Sequence, residues 1–106
     1  MYKIVRKSEA VLRKITDNKT AHNYITKEYS PNVSLAVIEG INYDAPVSAE
    51  QSWIYYILEG EMKLGFKENQ VSLNKGDVCY VSKGELFQMS GTYRAIIVCQ
   101  PAFGTK

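Results

Sequence analysis

Few residues of this sequence are of the types that usually carry out chemistry. Its 106 residues include one histidine, His22, and two cysteines, Cys79 and Cys99. A histidine can act as a general base and a cysteine as a nucleophile, but the chain has no Cys–His or Ser–His–Asp order at motif spacing. Both cysteines lie in apolar runs, where a free cysteine packs as a small hydrophobic residue. These residues alone therefore do not indicate an active site.

Carboxylates are a second set of candidates. Glu59 and Glu61 flank Gly60, and paired carboxylates can perform acid–base chemistry, but a position on either side of a turn glycine favours solvated side chains. Glu50 could serve as a general base, as could His22, if either lay beside a buried tyrosine. The sequence leaves that arrangement open.

Composition excludes several classes of protein. Hydrophobic residues make up 45% and charged residues 23% of the chain, which is typical of a folded domain. The formal net charge is +2, and the basic residues of segment 3–19 do not form the dense stripe of a nucleic-acid-binding domain. No apolar run has the length of a signal peptide or a membrane span. We expect a cytoplasmic protein with reduced thiols that binds neither nucleic acid nor membrane.

The sequence pattern predicts that strands position these residues. Apolar runs rich in β-branched and aromatic residues are separated by turn signals about every ten residues, a pattern that predicts an all-β sandwich or barrel. The predicted strands are 33–38, 53–58, 62–66, 78–81 and 93–99. Turns are predicted at 30–32, 67–70, 74–77 and 90–91. Segment 8–15 fits a short helix capped by Ser8, or an edge strand.

Residues 55–61, Tyr-Tyr-Ile-Leu-Glu-Gly-Glu, resemble the strand-and-turn motif of the cupin superfamily. The first cupin motif, G-x5-H-x-H-x3–4-E-x6-G, falls on Gly40, Pro46, Ser48, Trp53 and Gly60. The second, G-x5-P-x-G-x2-H-x3-N, falls on Gly76, Ser82, Gly84, Phe87 and Gly91. The ending Ile-Val-Cys-Gln-Pro-Ala (97–102) is similar to that of small cupins of the ethanolamine-utilisation type.

The resemblance spans about residues 40–101 and implies a cupin, a jelly-roll-like β-barrel of antiparallel strands. We expect one domain over residues 1–106, with N-terminal strands or a short helix in 1–32 and the barrel core in 33–101. Gly60 would close a turn between two barrel strands, since glycine adopts positive φ without a Cβ penalty.

The metal ligands of the family are replaced in this sequence. The motifs of metal-binding cupins supply two histidines, a glutamate and a third histidine, and these positions hold Pro46, Ser48, Trp53 and Phe87. None of the four is a plausible ligand for a divalent transition metal. The resemblance therefore predicts a cupin without a metal or another cofactor.

Aromatic residues at the former metal site predict a binding pocket. Side chains alternate along a strand, so Trp53, Tyr55 and Ile57 share a face, which points inward if Trp53 takes the place of the glutamate. The predicted pocket residues are Ser48, Trp53, Tyr55, Tyr80 and Phe87, with Cys79 in place of Tyr80 if that strand presents its other face. Such a pocket would bind a sugar-like or aromatic metabolite.

Two alternatives remain. Trp53 and Phe87 could fill the barrel and leave a non-catalytic scaffold, or the chain could be a metal-independent isomerase, epimerase or lyase that uses His22 or Glu50. In either case the opposite strand face, with Ile54, Tyr56 and Leu58, would be strongly apolar and would need covering. We therefore expect a homodimer.

Overall fold

The computed structural model describes residues 2–105, and almost all regular structure in that range is strand. One turn of 3-10 helix at Lys7–Glu9 precedes the strands. The strands are β1 (Val11–Thr16), β2 (Lys19–Ile25), β3 (Ser34–Ser48), β4 (Ser52–Gly65), β5 (Gln70–Asn74), β6 (Val78–Val81) and β7 (Leu86–Gln100). The all-β prediction is confirmed. In segment 8–15, residues 8–9 belong to the 3-10 turn and residues 11–15 take the edge-strand alternative, because β1 pairs with β2 at the edge of the sheet.

The strands form one antiparallel sheet in the order β1-β2-β3-β7-β4-β5. β6 lies off this path and pairs with the first part of β4, from Trp53 to Tyr56. β5 pairs with the last part of the same strand, from Glu61 to Gly65. The three central strands β3, β7 and β4 therefore form the middle of the sheet. The shorter strands β1 and β2 extend the sheet beside β3, and β5 and β6 extend it beside β4.

Each central strand is 14 or 15 residues long, about twice the length that the sequence pattern predicts. The predicted turns at Gly60 and at 90–91 are wrong, because the chain passes both points without leaving the sheet. Gly60 (φ 79°) and Gly91 (φ 121°) lie where β4 and β7 approach each other so closely that a Cβ would overlap a backbone carbonyl of the neighbour. Glycine is needed there for a close strand crossing instead of a turn.

The pairing register shifts in the middle of the central strands, between Gly40 and Tyr43 of β3 and between Ile57 and Glu59 of β4. Bulges of this kind bend a strand and increase its twist. As a result the two halves of the sheet face each other across one core, where Phe87 of β7 lies 6.5 Å from Trp53 of β4 between ring centroids. No helix within residues 2–105 is long and apolar enough to span a membrane.

Candidate ligand cavity

A cavity of about 500 Å³ lies inside the fold, between the N-terminal strands β1 and β2 and the first half of the central sheet. Its apolar wall includes side chains from four strands, namely Val11, Ile15, Ile38, Val47, Trp53 and Ile97. The volume falls in the range of about 300–1,000 Å³ that is typical of small-molecule sites. The cavity is therefore large enough for a metabolite.

Trp53 and Tyr55 contribute aromatic surface to this cavity. As predicted, Trp53, Tyr55 and Ile57 of β4 point inward and are buried, whereas Ile54 and Tyr56 lie on the opposite face and are about two-fifths exposed. The Trp53 indole Nε1 donates a hydrogen bond of 3.1 Å to Oε1 of the buried side chain of Gln51. This bond fixes the orientation of the indole ring, and the edge of the Tyr55 ring packs against it at 6.2 Å.

Phe87 lies behind Trp53 and does not line the cavity. Its ring contacts Trp53 edge to face and lies 5.3 Å from the Phe66 ring. Trp53, Phe66 and Phe87 form what we call the aromatic cluster, which fills the end of the barrel beyond the cavity. Phe87 points inward, as predicted, and is buried. Its ring packs against other side chains and does not face the cavity, where the sequence had placed it as a pocket residue.

Ser48 and Tyr80 are outside the cavity. Because the bulge after Gly40 shifts β3 by one residue, Ala45 and Val47 point inward, and Pro46 and Ser48 are exposed. Tyr80 is 63% exposed on the outer face of β6, and its hydroxyl donates to Oγ of Ser52 at 3.3 Å. β6 instead directs Cys79 inward, the alternative that the sequence left open. The structure thus brings Trp53 and Tyr55 together at the cavity and places the other predicted residues elsewhere.

The residues present do not fit the metal site that the cupin motifs describe. The inward positions nearest the motif ligands hold Ala45, Val47, Trp53 and Phe87, none of which offers a ligating nitrogen or carboxylate. Within residues 2–105 no three His, Cys, Asp or Glu side chains come close enough to hold a metal ion together. We derive no chemistry through a metal.

The candidate catalytic residues do not meet at the cavity. His22 is on the outer side of β2, opposite Val37 of β3, and Glu50 is exposed just before β4, so neither lines the cavity. Cys99 does line it, but burial raises the pKa of its thiol, as it does for Cys79. A raised pKa keeps a thiol protonated and makes it a poor nucleophile.

Tyrosine hydroxyls near the cavity are held in the neutral state. Burial raises the pKa of Tyr55 well above its usual value of 10, and the neighbouring Tyr93 adds to that shift. Burial also raises the pKa of Tyr93, whose hydroxyl donates to Sδ of Met89 at 3.1 Å. Tyr55 can therefore donate a hydrogen bond to a ligand, but it is not a base at neutral pH.

Two cations in the cavity wall were not predicted from the sequence. Arg13 of β1 and Lys19 of β2 both line the cavity. Burial, with a smaller contribution from the charge of Arg13, lowers the pKa of Lys19 from 10.5 to about 8. The sequence signal is the alternation Arg13–Ile15 and Lys19–Ala21, which becomes visible only once segment 8–15 is known to be a strand.

The sequence matches no protein-family model and none of the curated proteins. Its structure is similar to several solved structures, each of low sequence identity. KdgF from Halomonas sp. gives a TM-score of 0.84 at 11% identity, covering 98% of this chain and 97% of that one. An RmlC-like cupin from Shewanella frigidimarina gives 0.82 at 13% identity, covering 98% and 95%.

Ethanolamine utilization protein Q from Salmonella typhimurium also superposes well, with a TM-score of 0.82 at 18% identity over 95% of this chain and 87% of that one. Likenesses at such identities establish the fold alone. They agree with the fold that the motif resemblance at residues 40–101 predicts. The chain therefore has the cupin fold, and its structure resembles that of ethanolamine utilization protein Q.

Proposed function

We propose that this cupin binds a small aromatic or sugar-like metabolite in the cavity beside Trp53 and Tyr55, without a metal. The observation that supports the proposal most is the cavity itself, about 500 Å³ of open volume in a barrel small enough to be filled by side chains. Planar rings bind well against aromatic side chains, and the Tyr55 hydroxyl supplies a hydrogen-bond donor.

A filled, purely structural barrel accounts for only part of the molecule. The aromatic cluster and the neighbouring side chains Met62 and Leu64 do fill one end, where both are fully buried. Packing of that density does not continue to the strands β1 and β2, where the cavity lies. An isomerase or lyase based on His22 or Glu50 has no supporting geometry, since neither side chain lines the cavity.

Ligand binding can be tested by filling the cavity. Ala36 of β3 lines it, and Ala36→Phe would place a ring inside, whereas Val37→Phe places the same ring on the outer face as a matched control. We expect 2-naphthol or methyl β-glucoside to shift the NMR signals of Trp53 and Tyr55 in the wild type and in Val37→Phe, but not in Ala36→Phe. If neither compound shifts these signals at millimolar concentration, the structural alternative is favoured.

We also propose that the chain forms a homodimer through the outer face of the sheet formed by β6, the first part of β4 and the last part of β7. The exposed apolar side chains there include Ile54 and Tyr56 of β4 and Val78 and Tyr80 of β6. Pairing places Ile54 beside Tyr80 and Val98, and Tyr56 beside Val78 and Ile96. Monomeric proteins rarely expose contiguous apolar patches of this kind, and a second copy would cover it with an identical surface.

Light scattering after size exclusion measures the assembly directly. We expect a mass close to twice the 12.0 kDa of the chain for the wild type, and 12.0 kDa for Tyr56→Asp. Leu86→Asp is the control, because Leu86 is 69% exposed on the other half of the sheet. A monomeric wild type, or a Tyr56→Asp variant that stays dimeric, would rule out this interface.

A further inference from the structure

Two of the cations that line the cavity, Arg13 and Lys19, lack a counter-charge. The ion pairs of the described residues involve Lys14, Lys63 and Arg94, none of which lines the cavity. Arg13 and Lys19 have no carboxylate among the described residues within ion-pair distance. Buried charges in proteins are usually paired, because an unpaired one is costly to remove from water.

The present neighbours of Lys19 are poor partners for an ammonium group. Its Nζ lies 3.7 Å from the Sδ atom of Met89 and 4.8 Å from the centroid of the Tyr43 ring. A thioether is a weak acceptor, and a ring face carries only a quadrupole. Neither group compensates a full positive charge.

Arg13 is similarly incomplete. Its guanidinium carbon lies 4.7 Å from the centroid of the Phe103 ring, and its Nε is buried without a hydrogen-bond partner among residues 2–105. Buried polar atoms are nearly always hydrogen-bonded, so an orphaned N–H in a cavity wall indicates a partner that enters the cavity. Asn23 of β2 also lines the cavity and adds a side-chain amide.

The remaining charges do not neutralise this pair. Glu9 and Glu28 border the cavity but are exposed, and they are matched in number by the exposed Lys3 and Lys27. The net charge of the lining is therefore positive and is due to Arg13 and Lys19. Both lie on the inward side of neighbouring strands, because Arg13 pairs with Ala21, which shares a face of β2 with Lys19.

We infer that the ligand of this cavity is a small organic carboxylate, with its two oxygens on Arg13 and Lys19 and its apolar body against Trp53 and Ile97. This inference rests on the proposed function and narrows it from any aromatic or sugar-like ring to an acid. A carboxylate matches two donors, whereas a phosphate ester would present a third terminal oxygen to a mostly apolar wall.

The test compares two acids, benzoate and 2-naphthoate, with their uncharged amides, benzamide and 2-naphthamide, by calorimetry on the full chain at pH 7. We expect at least one acid to bind at least tenfold more tightly than its own amide. Lys19→Met and Arg13→Gln should each weaken that acid at least fivefold and its amide by less than twofold, and an unchanged circular dichroism spectrum reports an intact fold. Lys14→Met is the control, since Lys14 pairs with Asp17 at 2.9 Å outside the cavity.

Several results would overturn the carboxylate assignment. If acid and amide bind with equal affinity, or if neither variant changes the affinity of the acid, the cavity does not recognise a carboxylate and binds only neutral rings. Inorganic phosphate that binds more tightly than either acid and is lost in both variants would assign the cations to another anion. Absence of binding by acids and amides overturns this inference, and the proposed function falls with it only if 2-naphthol and methyl β-glucoside also fail to bind.

Discussion

The two ends of this barrel are built on the same three central strands and differ in what fills them. At one end Met62, Leu64 and Phe87 are each at most 5% exposed and belong to one buried core with Trp53. At the other end the same strands face β1 and β2, which contribute Arg13, Lys19 and Asn23 to the wall of an open cavity. One end is packed for stability, and the other keeps charge and volume that stability alone does not require.

The difference shows that the residues at the ligand positions of the cupin motifs do not fill the whole barrel. The residues that replace the ligands on β4 and β7, Trp53 and Phe87, meet at the boundary between the two ends. The space beside Trp53 stays open, and its wall includes Ala36 and the cations Arg13 and Lys19. Variants at the two ends should therefore have opposite effects.

The largest effect is expected at the filled end. Phe87→Ala removes a buried ring from the aromatic cluster and should lower the free energy of unfolding by about 3–4 kcal/mol. Leu86→Ala, on the exposed face of the same strand, should change it by less than about 0.5 kcal/mol. Urea unfolding followed by fluorescence measures both. A loss below about 1 kcal/mol for Phe87→Ala would mean that this end is not packed as described.

The crossing of the central strands between the two ends gives the next largest effect. Gly60→Ala combines a positive φ with overlap of the new Cβ and the Thr92 carbonyl, and should cost about 3 kcal/mol. Gly76→Ala has a similar φ of 90° but meets nothing within 4 Å, so about 1 kcal/mol is expected. Equal losses in urea titrations of the two variants would contradict the close approach of β4 and β7.

At the open end the sign reverses. Lys19→Met removes a partly desolvated charge and should raise the free energy of unfolding by about 2 kcal/mol at pH 7 in the absence of ligand. The groups that face Lys19 are Arg13 of β1, Tyr43 of β3 and Met89 of β7; burial raises the pKa of Tyr43, so that it stays neutral.

The same variant predicts a pH dependence. The pKa of Lys19 is about 8 in the folded chain and 10.5 otherwise, so between these values the unfolded chain binds more protons. The stability of the wild type therefore rises relative to Lys19→Met from pH 8 to about pH 10, and the advantage of the variant shrinks. A difference that is constant over this range in chemical unfolding would show that Lys19 is not the buried cation.

The smallest effect is expected for a charge on the outer surface. Arg94 of β7 lies 3.4 Å from Glu39 and 4.0 Å from Glu59, and all three side chains are substantially exposed. Glu39→Gln should therefore lower the free energy of unfolding by less than about 1 kcal/mol, and high salt should abolish the difference. A larger loss of unfolding free energy that does not depend on salt would show that Arg94 and Glu39 behave as a buried ion pair.

The sequence predicted the fold from features that are local. The strands were predicted from apolar runs bounded by turn signals, and each run is a property of its own segment. The inward face of β4 was predicted from the alternation of side chains along a single strand. The loss of the metal ligands was equally visible, since it required only residue types at motif positions.

The site depended on register, which is a property of pairs of strands. A bulge after Gly40 moved Ser48 to the outside, and the absence of a chain reversal at Gly60 joined two predicted strands into one. A one-residue slip exchanges the two faces of a strand, so no pattern within β3 alone could decide which of its residues line the cavity.

What the sequence determined by itself was thus a barrel of cupin type and the residue types at the ligand positions of the cupin motifs, because both follow from local segments of the chain. Only the tertiary structure decided where the barrel is open and which charges line it. Arg13 and Lys19 are ordinary surface-type residues in the sequence, and they become a candidate anion site only because β1 and β2 extend the sheet beside β3 and place both side chains in the wall of the cavity that Trp53 also lines. Long-range pairing, which fixes that placement, leaves no signal in the spacing of the residues concerned.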